Sequence, residues 1–211
     1  MLLYGSTDSG HSYKIRAFLL LTASPHAYQW IDLALPQSHR LAAFVAASKF
    51  GEVPVLLDQG QAMCQSNAIL MYLAQRVGKL AGAETEWQGV LEWLSWESNR
   101  IGFSLPNLRY ALRWSAQPPE VLHYLRQRVL ADLARLDAAV SAQDFLLPSG
   151  PSIADLSCSA YLFWLDQVGI DESAYPHLQR WLARLRALPH WQHPDLAMQA
   201  VAPDTSLARD E

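Results

Sequence analysis

Val53-Pro54-Val55-Leu56, followed nine positions after Val55 by Cys64-Gln65-Ser66-Asn67-Ala68-Ile69-Leu70, decides how this chain is read. A proline at the head of a short apolar run cannot donate to a sheet ladder, so it belongs at a strand's first residue. A cis bond there turns the preceding backbone outward and frees the N–H and C=O of Val53 for a ligand. Gln65 and Ser66 stand where a helix begins, so unpaired N–H groups and the positive end of the helix dipole face any nearby carboxylate. The two segments together describe a cradle for a small anionic peptide.

Working outward, Leu2-Leu3-Tyr4 reads as a short buried strand closed by Gly5-Ser6. Ile15, Phe18 and Leu19 follow at i, i+3 and i+4, the stripe of an amphipathic helix, which weakens at Thr22. Tyr28 to Leu33 has the aromatic and branched content of a second strand, and Arg40 to Ala47 reads as a helix. Val55-Leu56-Leu57 and Ala62-Met63-Cys64 are strands joined by the turn Asp58-Gln59-Gly60, and Ser66 to Val77 is a helix stopped by Gly78. The order is β-α-β, then β-β-α, in residues 1–78.

Beyond Gly78 no strand pattern is found, and residues 79–85 read as a linker to an all-helical unit over 86–211. One helix is expected from Glu86 to Trp114, bent by Pro106, and a second from Glu120 to Ser141 after the break Gln117-Pro118-Pro119. Leu125, Val129, Leu133 and Leu136 give the second an apolar stripe, so the two should pack as an antiparallel pair. Ser152 and Asp155 form a capping box ahead of a helix that runs through Trp164 and is apolar on nearly every face. A further helix spans Leu178 to Leu188, and the last ten or so residues are polar and expected to fray.

Four segments in this order and spacing, Ser9-Gly10-His11-Ser12-Tyr13-Lys14-Ile15-Arg16, Phe50 to Leu56, Gln65-Ser66-Asn67-Ala68-Ile69 and Ser152-Ile153-Ala154-Asp155, resemble the cytosolic glutathione transferases, especially bacterial serine-type members. The resemblance runs from Leu2 to about Trp191. It implies a thioredoxin-like, glutathione-binding α/β domain with a mixed four-stranded sheet, followed by an all-α domain that supplies a hydrophobic acceptor site. It also implies a cytoplasmic homodimer engaged in detoxification.

Within that resemblance Ser9 matches the catalytic serine, whose hydroxyl hydrogen-bonds the glutathione sulfur and favours its thiolate. An ordinary thiol titrates near about 8.5, and lowering it by about two pH units takes roughly 2.7 kcal/mol, within reach of one charge-assisted bond and the helix dipole. Ser9 also reads as a plain helix cap, with Ser6 and Ser12 as substitutes. Ser66 and Gln65 would bind the γ-glutamyl end, Val53 ahead of Pro54 the cysteinyl backbone, and Arg40, with His39 beside it, the glycine carboxylate. Phe103, Asn107 and Tyr110, with Trp114, would line the acceptor pocket. His11 stands where the isomerase branch's Ser-Ser-Cys-Ser pattern has cysteine, a departure from that branch.

The formal net charge is −4, residues 1–78 carrying +1 and the remainder −5, so no basic stripe for nucleic acid is present. No charged-then-apolar leader precedes Leu2 and no apolar run approaches the roughly 20 residues of a bilayer span, which argues for a soluble intracellular protein. Cys64 and Cys158 read as reduced thiols. His190 and His193 have a helical metal pair's spacing but are bracketed by Pro189 and Pro194, and no phosphate loop or dinucleotide fingerprint appears, so neither metal nor nucleotide is expected. Glutathione as co-substrate and a small hydrophobic electrophile are the expected partners. Glutathione-dependent isomerisation or disulfide reduction, and a non-catalytic binding role, are the alternatives.

Overall fold

The computed structural model describes residues 1–199. The polar end of the chain, where fraying is expected, lies outside the described residues. Strand β1 (Leu2–Gly5), helix α1 (Gly10–Leu21) and strand β2 (Ala27–Trp30) make a right-sized crossover unit, and β1 and β2 pair in parallel as such a connection requires. The expected second strand is shorter than Tyr28 to Leu33, since Leu33 has already left the sheet and is exposed. Strands β3 (Val55–Asp58) and β4 (Gln61–Cys64) are antiparallel, joined by Gln59 and Gly60 with both φ angles positive, the hairpin geometry that matches strand twist. The sheet order is β2-β1-β3-β4, with β3 antiparallel to β1.

Helix α2 is Ala42–Ala47, two residues shorter at its start than Arg40 to Ala47 suggested. Arg40 is extended because its guanidinium is committed to loop carbonyls. Helix α3 (Ser66–Val77) ends on Gly78 in the left-handed conformation. Phe44 of α2 fills one face of the sheet with Tyr4, Ile31 and Val55. On the other face Ile15, Phe18 and Leu19 of α1 meet Ile69, Leu70 and Leu73 of α3 over Leu3 and Leu56. Each such buried aliphatic or aromatic side chain contributes about 1.5–3 kcal/mol before chain entropy is charged against it. This core runs on into Val90, Leu94, Ile153 and Leu156, so the helical domain is seated on the sheet domain by continuous apolar contact.

The long helix expected over 86–114 is two helices, α4 (Trp87–Asn99) and α5 (Ile101–Arg113), and the break falls at Arg100, not at Pro106. Arg100 lies at φ −122° and ψ −110°, far from helical values. The chain turns there so that the carboxylate of Glu97 tucks against Gly102, where a Cβ would collide with it. Pro106 sits inside α5 and costs it one rung, leaving the Gly102 carbonyl without its i+4 donor. Helix α6 (Pro119–Ala139) packs on α5 through the stripe of Leu125, Val129, Leu133 and Leu136.

The capping box is present: Ser152 Oγ accepts from Ala154 N at 3.2 Å and Ser152 N donates to Asp155 Oδ2 at 2.9 Å. Asp155 also accepts from Leu146 N and Trp181 Nε1, so the fully buried carboxylate is saturated even though burial pushes its pKa up. Helix α7 (Ile153–Ser159) is central and buried throughout, but it stops short of Trp164. Residues 162–168 are 3-10, with Trp164 at φ −126° and ψ 27° so that its ring meets Arg109 and its Nε1 donates to Asp195 at 2.7 Å. Helices α8 (Pro176–Arg186) and α9 (Pro194–Ala197) close the described chain. Among the described residues no helix is long and apolar enough to cross a membrane.

Candidate active site

One cleft of about 1110 Å³ lies between the sheet domain and α5. It gathers Ser9, Arg40, Val53, Pro54, Gln65 and Ser66 on one side and Phe103, Asn107, Tyr110 and Trp114 on the other. The residues nominated from sequence for the two halves of a site therefore share one space. His39 is not part of its lining.

Ser9 is the N-cap of α1: its Oγ accepts from Ser12 N at 3.1 Å, and its own carbonyl accepts from Tyr13 N at 2.9 Å. A hydroxyl that accepts from a backbone N–H keeps its O–H to give, so capping and donation to a ligand are compatible at this one side chain. Ser6 also lines the cleft, whereas Ser12 is sealed, which removes it as a substitute. The loop before Ser9 is held from the other domain. Arg109 of α5, 2% exposed, donates to Asp8 O and Asp8 Oδ1, both at 2.8 Å, and to Gln167 Oε1 at 2.7 Å. Its guanidinium lies 4.1 Å from the centre of the Trp164 ring. Tyr161 presses its ring on Gly10, where a Cβ would come within 2.6 Å, and burial pushes its hydroxyl up to about 12.

The Val53-Pro54 bond is cis, and both residues line the cleft just before β3. Gln65 has φ +68° and ψ 112°, and its side chain does not cap α3. The first N–H groups of that helix are thus left for an acceptor from outside, beside Ser66. Gln65 Nε2 instead donates to Glu52 Oε2 at 3.3 Å. Arg40 spends three donors on carbonyls of its own loop, Leu35, Gly51 and Leu33, at 2.9, 3.1 and 3.0 Å. It braces the loop and has two N–H groups left over.

On the far wall Phe103, Pro106, Asn107 and Tyr110 recur at i, i+3, i+4 and i+7 along α5. Phe103, Tyr110 and Trp114 are all exposed, and Phe50 joins them from the sheet domain. Asn107 Nδ2 bonds back to Phe103 O at 2.7 Å, which leaves its oxygen and one N–H without a partner in that bond. Cys64 lines the cleft half-buried, while Cys158 is buried and its thiol pushed well up by burial. Among the described residues no group of three His, Cys, Asp or Glu could hold a metal ion. His190 has φ +64° between helices and His193 caps α9, so they do not share a helix face.

Sequence reasoning missed the polar cluster beneath this floor. Lys14 Nζ, fully buried on α1, donates to Glu97 Oε1 at 3.0 Å, Asn67 Oδ1 at 2.9 Å and Ser157 Oγ at 3.0 Å. Asn67 Nδ2 returns to Leu94 O, Glu97 Oε2 and Ser98 Oγ. Burial alone would push Glu97 up, but the Lys14 ammonium and the other partners outweigh it and hold the carboxyl below its ordinary value. A signal existed: Glu97 continues the Val90-Leu94 stripe at i+7, and Lys14 stands beside Ile15 and four before Phe18 on an otherwise buried helix. Arg109 gave a similar one, set between the buried Leu108 and Ala111.

The chain matches two family models, the glutathione S-transferase N-terminal domain over residues 3–81 and the glutathione S-transferase C-terminal domain over residues 99–184. It belongs to the glutathione S-transferase family. A solved glutathione S-transferase from Pseudomonas fluorescens Pf-5 superposes with a TM-score of 0.82 at 28% identity, over 92% of this chain and 98% of that one. The disulfide-bond oxidoreductase YfcG of Escherichia coli K12 is 26% identical over 89% of this chain and 90% of its own. Maleylacetoacetate isomerase of Pseudomonas aeruginosa PAO1 is 25% identical over 99% of this chain and 100% of its own.

Proposed function

We propose that this protein is a glutathione transferase of the serine type, with Ser9 stabilising the glutathione thiolate for attack on a hydrophobic electrophile. The observation that carries the reading is the cleft itself. A capping serine lining the cleft, an uncapped helix start at Ser66 and an exposed aromatic wall on α5 face one another across it. In this reading the α3 N-terminus and Ser66 bind the γ-glutamyl carboxylate, with Gln65 beside them, and Val53 ahead of Pro54 pairs with the cysteinyl backbone. Arg40 reaches the glycine carboxylate with its two spare donors. Residues 1–78 supply the peptide site, 79–85 the link, and 86–211 the acceptor wall of Phe103, Asn107 and Tyr110. The working form is a cytoplasmic homodimer.

The enzyme supplies position and a lowered thiol pKa while the tripeptide supplies the nucleophile. A second reading keeps the thiolate and changes the acceptor: the similarity to a disulfide-bond oxidoreductase and to an isomerase supports reduction of mixed disulfides or isomerisation of cyclic or conjugated enoates. The test is calorimetry with glutathione, followed by product analysis on aryl halides, mixed disulfides and enoates. Conjugates formed from the halides support the transferase. Turnover confined to the disulfides or the enoates moves the function to that branch, and failure to bind glutathione at millimolar concentration ends both readings.

A further inference from the structure

His11 occupies the second position of α1, two residues from Ser9, and lines the same cleft. A third of its side chain is exposed, yet Nδ1 is sealed and has no hydrogen-bond partner among the described residues. The nitrogen available to the cleft is therefore Nε2. What lies behind the ring is unusual for an idle surface histidine. Glu97 Oε1 stands 4.0 Å from Nδ1, and that carboxylate is itself fixed by Lys14 and Asn67. The Gly102 carbonyl, freed by Pro106, also lies against the ring. Tyr161 packs edge-on with its ring centre 5.1 Å away.

A carboxylate opposite Nδ1 favours the tautomer that carries its proton there, leaving a lone pair on Nε2. We propose that His11 is a catalytic proton acceptor for the glutathione thiol, with Glu97 as its positioning residue. The inference rests on the glutathione reading above and adds the destination of the proton. The S–H bond breaks, its electron pair stays on sulfur, and the proton bonds to Nε2. The thiolate takes the Ser9 O–H, while the imidazolium presents Nδ1–H to Glu97. When the new bond to sulfur has formed, the proton passes from Nε2 to the departing group or to the acceptor's carbanion, and the ring returns to neutral.

The groups around His11 are arranged for this cycle. In the free site burial and the Lys14 ammonium hold its pKa down to about 4, against the pull of Glu97 and Gly102, so the ring enters the reaction without a proton. To keep the proton at pH 6.5 the ring must be raised from about 4 by roughly 2.5 pH units, and a thiolate arriving at Ser9 puts an opposite charge on its open side that is worth about 1–3 pH units at contact distance. Tyr161 stays protonated throughout, being pushed up by burial, and does not compete for the proton.

The test counts protons. Glutathione binding is measured at pH 6.5 by calorimetry in buffers of different ionisation enthalpy, in parallel with thiolate absorbance, for the wild type and for His11→Gln. In the wild type thiolate should form with far less than one proton released per thiolate, because the proton stays on the ring. In His11→Gln the thiolate should fall by about tenfold, and each one formed should release a full proton to the buffer. One proton released per thiolate in the wild type overturns the proposal and leaves the transferase reading standing. Glutathione bound with no thiolate also overturns it, whereas no glutathione binding at all overturns the functional reading first.

Discussion

Replacing Ser9 by alanine separates its two duties. The cap bond to Ser12 N, 3.1 Å long, is lost whatever the protein does, and losing such a cap costs about 0.5–2 kcal/mol of stability. The donated O–H matters only if a thiolate sits opposite it. A hydrogen bond to a charged group is worth about 1.5–3 kcal/mol, which corresponds to roughly a ten- to hundredfold loss of turnover. The same bond sets the bound thiol's acidity, so its pKa should rise by about one to two pH units in Ser9→Ala. Urea unfolding, initial rates with an aryl halide and a pH titration of thiolate absorbance read the three quantities independently. Ser9→Thr keeps a hydroxyl and should recover both stability and rate. If Ser9→Ala loses only the stability of a cap, with rate and thiol titration unmoved, the reasoning fails and Ser6, which lines the cleft from the same loop, takes the role.

Arg109→Lys keeps the charge but cannot span Asp8 O, Asp8 Oδ1 and Gln167 together, so the loop bearing Ser9 should loosen and turnover fall about tenfold with helical content preserved by circular dichroism. Lys14→Met strands a buried carboxylate and should cost about 3–5 kcal/mol in urea unfolding, most of it restored in the double variant Lys14→Met/Glu97→Gln; an additive double variant would refute the pairing. The pH dependence follows from His11, whose pKa is pushed from 6.5 to about 4 on folding. The unfolded chain takes up the proton first, so its contribution to stability is present above pH 6.5 and is lost as pH falls from there to about 4. His26, also pushed down by burial, acts in the same direction, so His11→Gln should flatten the thermal-melt profile across this window without abolishing its slope. A slope unchanged in that variant would show that the folded ring is as basic as a free one.

What the sequence made legible was whatever depends on neighbours a few residues apart. The Gln59-Gly60 hairpin, the Ser152/Asp155 box, the Ser9 cap and the Gly78 stop are all local chemistry, and each stands where its residues place it. Pro106 misled, because the helix rule prices its missing N–H but does not know that the true break is set by Glu97 packing on Gly102. The Lys14 cluster was hidden for a different reason: its partners lie 53, 83 and 143 residues away, and no periodicity connects them. Arg109 is similar, binding Asp8 across 101 residues. Arg40 was read as a ligand group from its loop position, and three backbone carbonyls turn out to hold most of its donors.

The Lys14 ammonium has its carboxylate on α4 and a serine on α7, both belonging to the other half of the molecule. Severed after the linker, the amino-terminal fragment would carry a cation with only the neutral Asn67 left beside it in the middle of an oily face, and the carboxy-terminal fragment an anion without its counter-charge. Neither piece is suited to independent life, and recombining one of them with the complementary half of a cousin would work only where the cousin brings the opposite charge to the same depth.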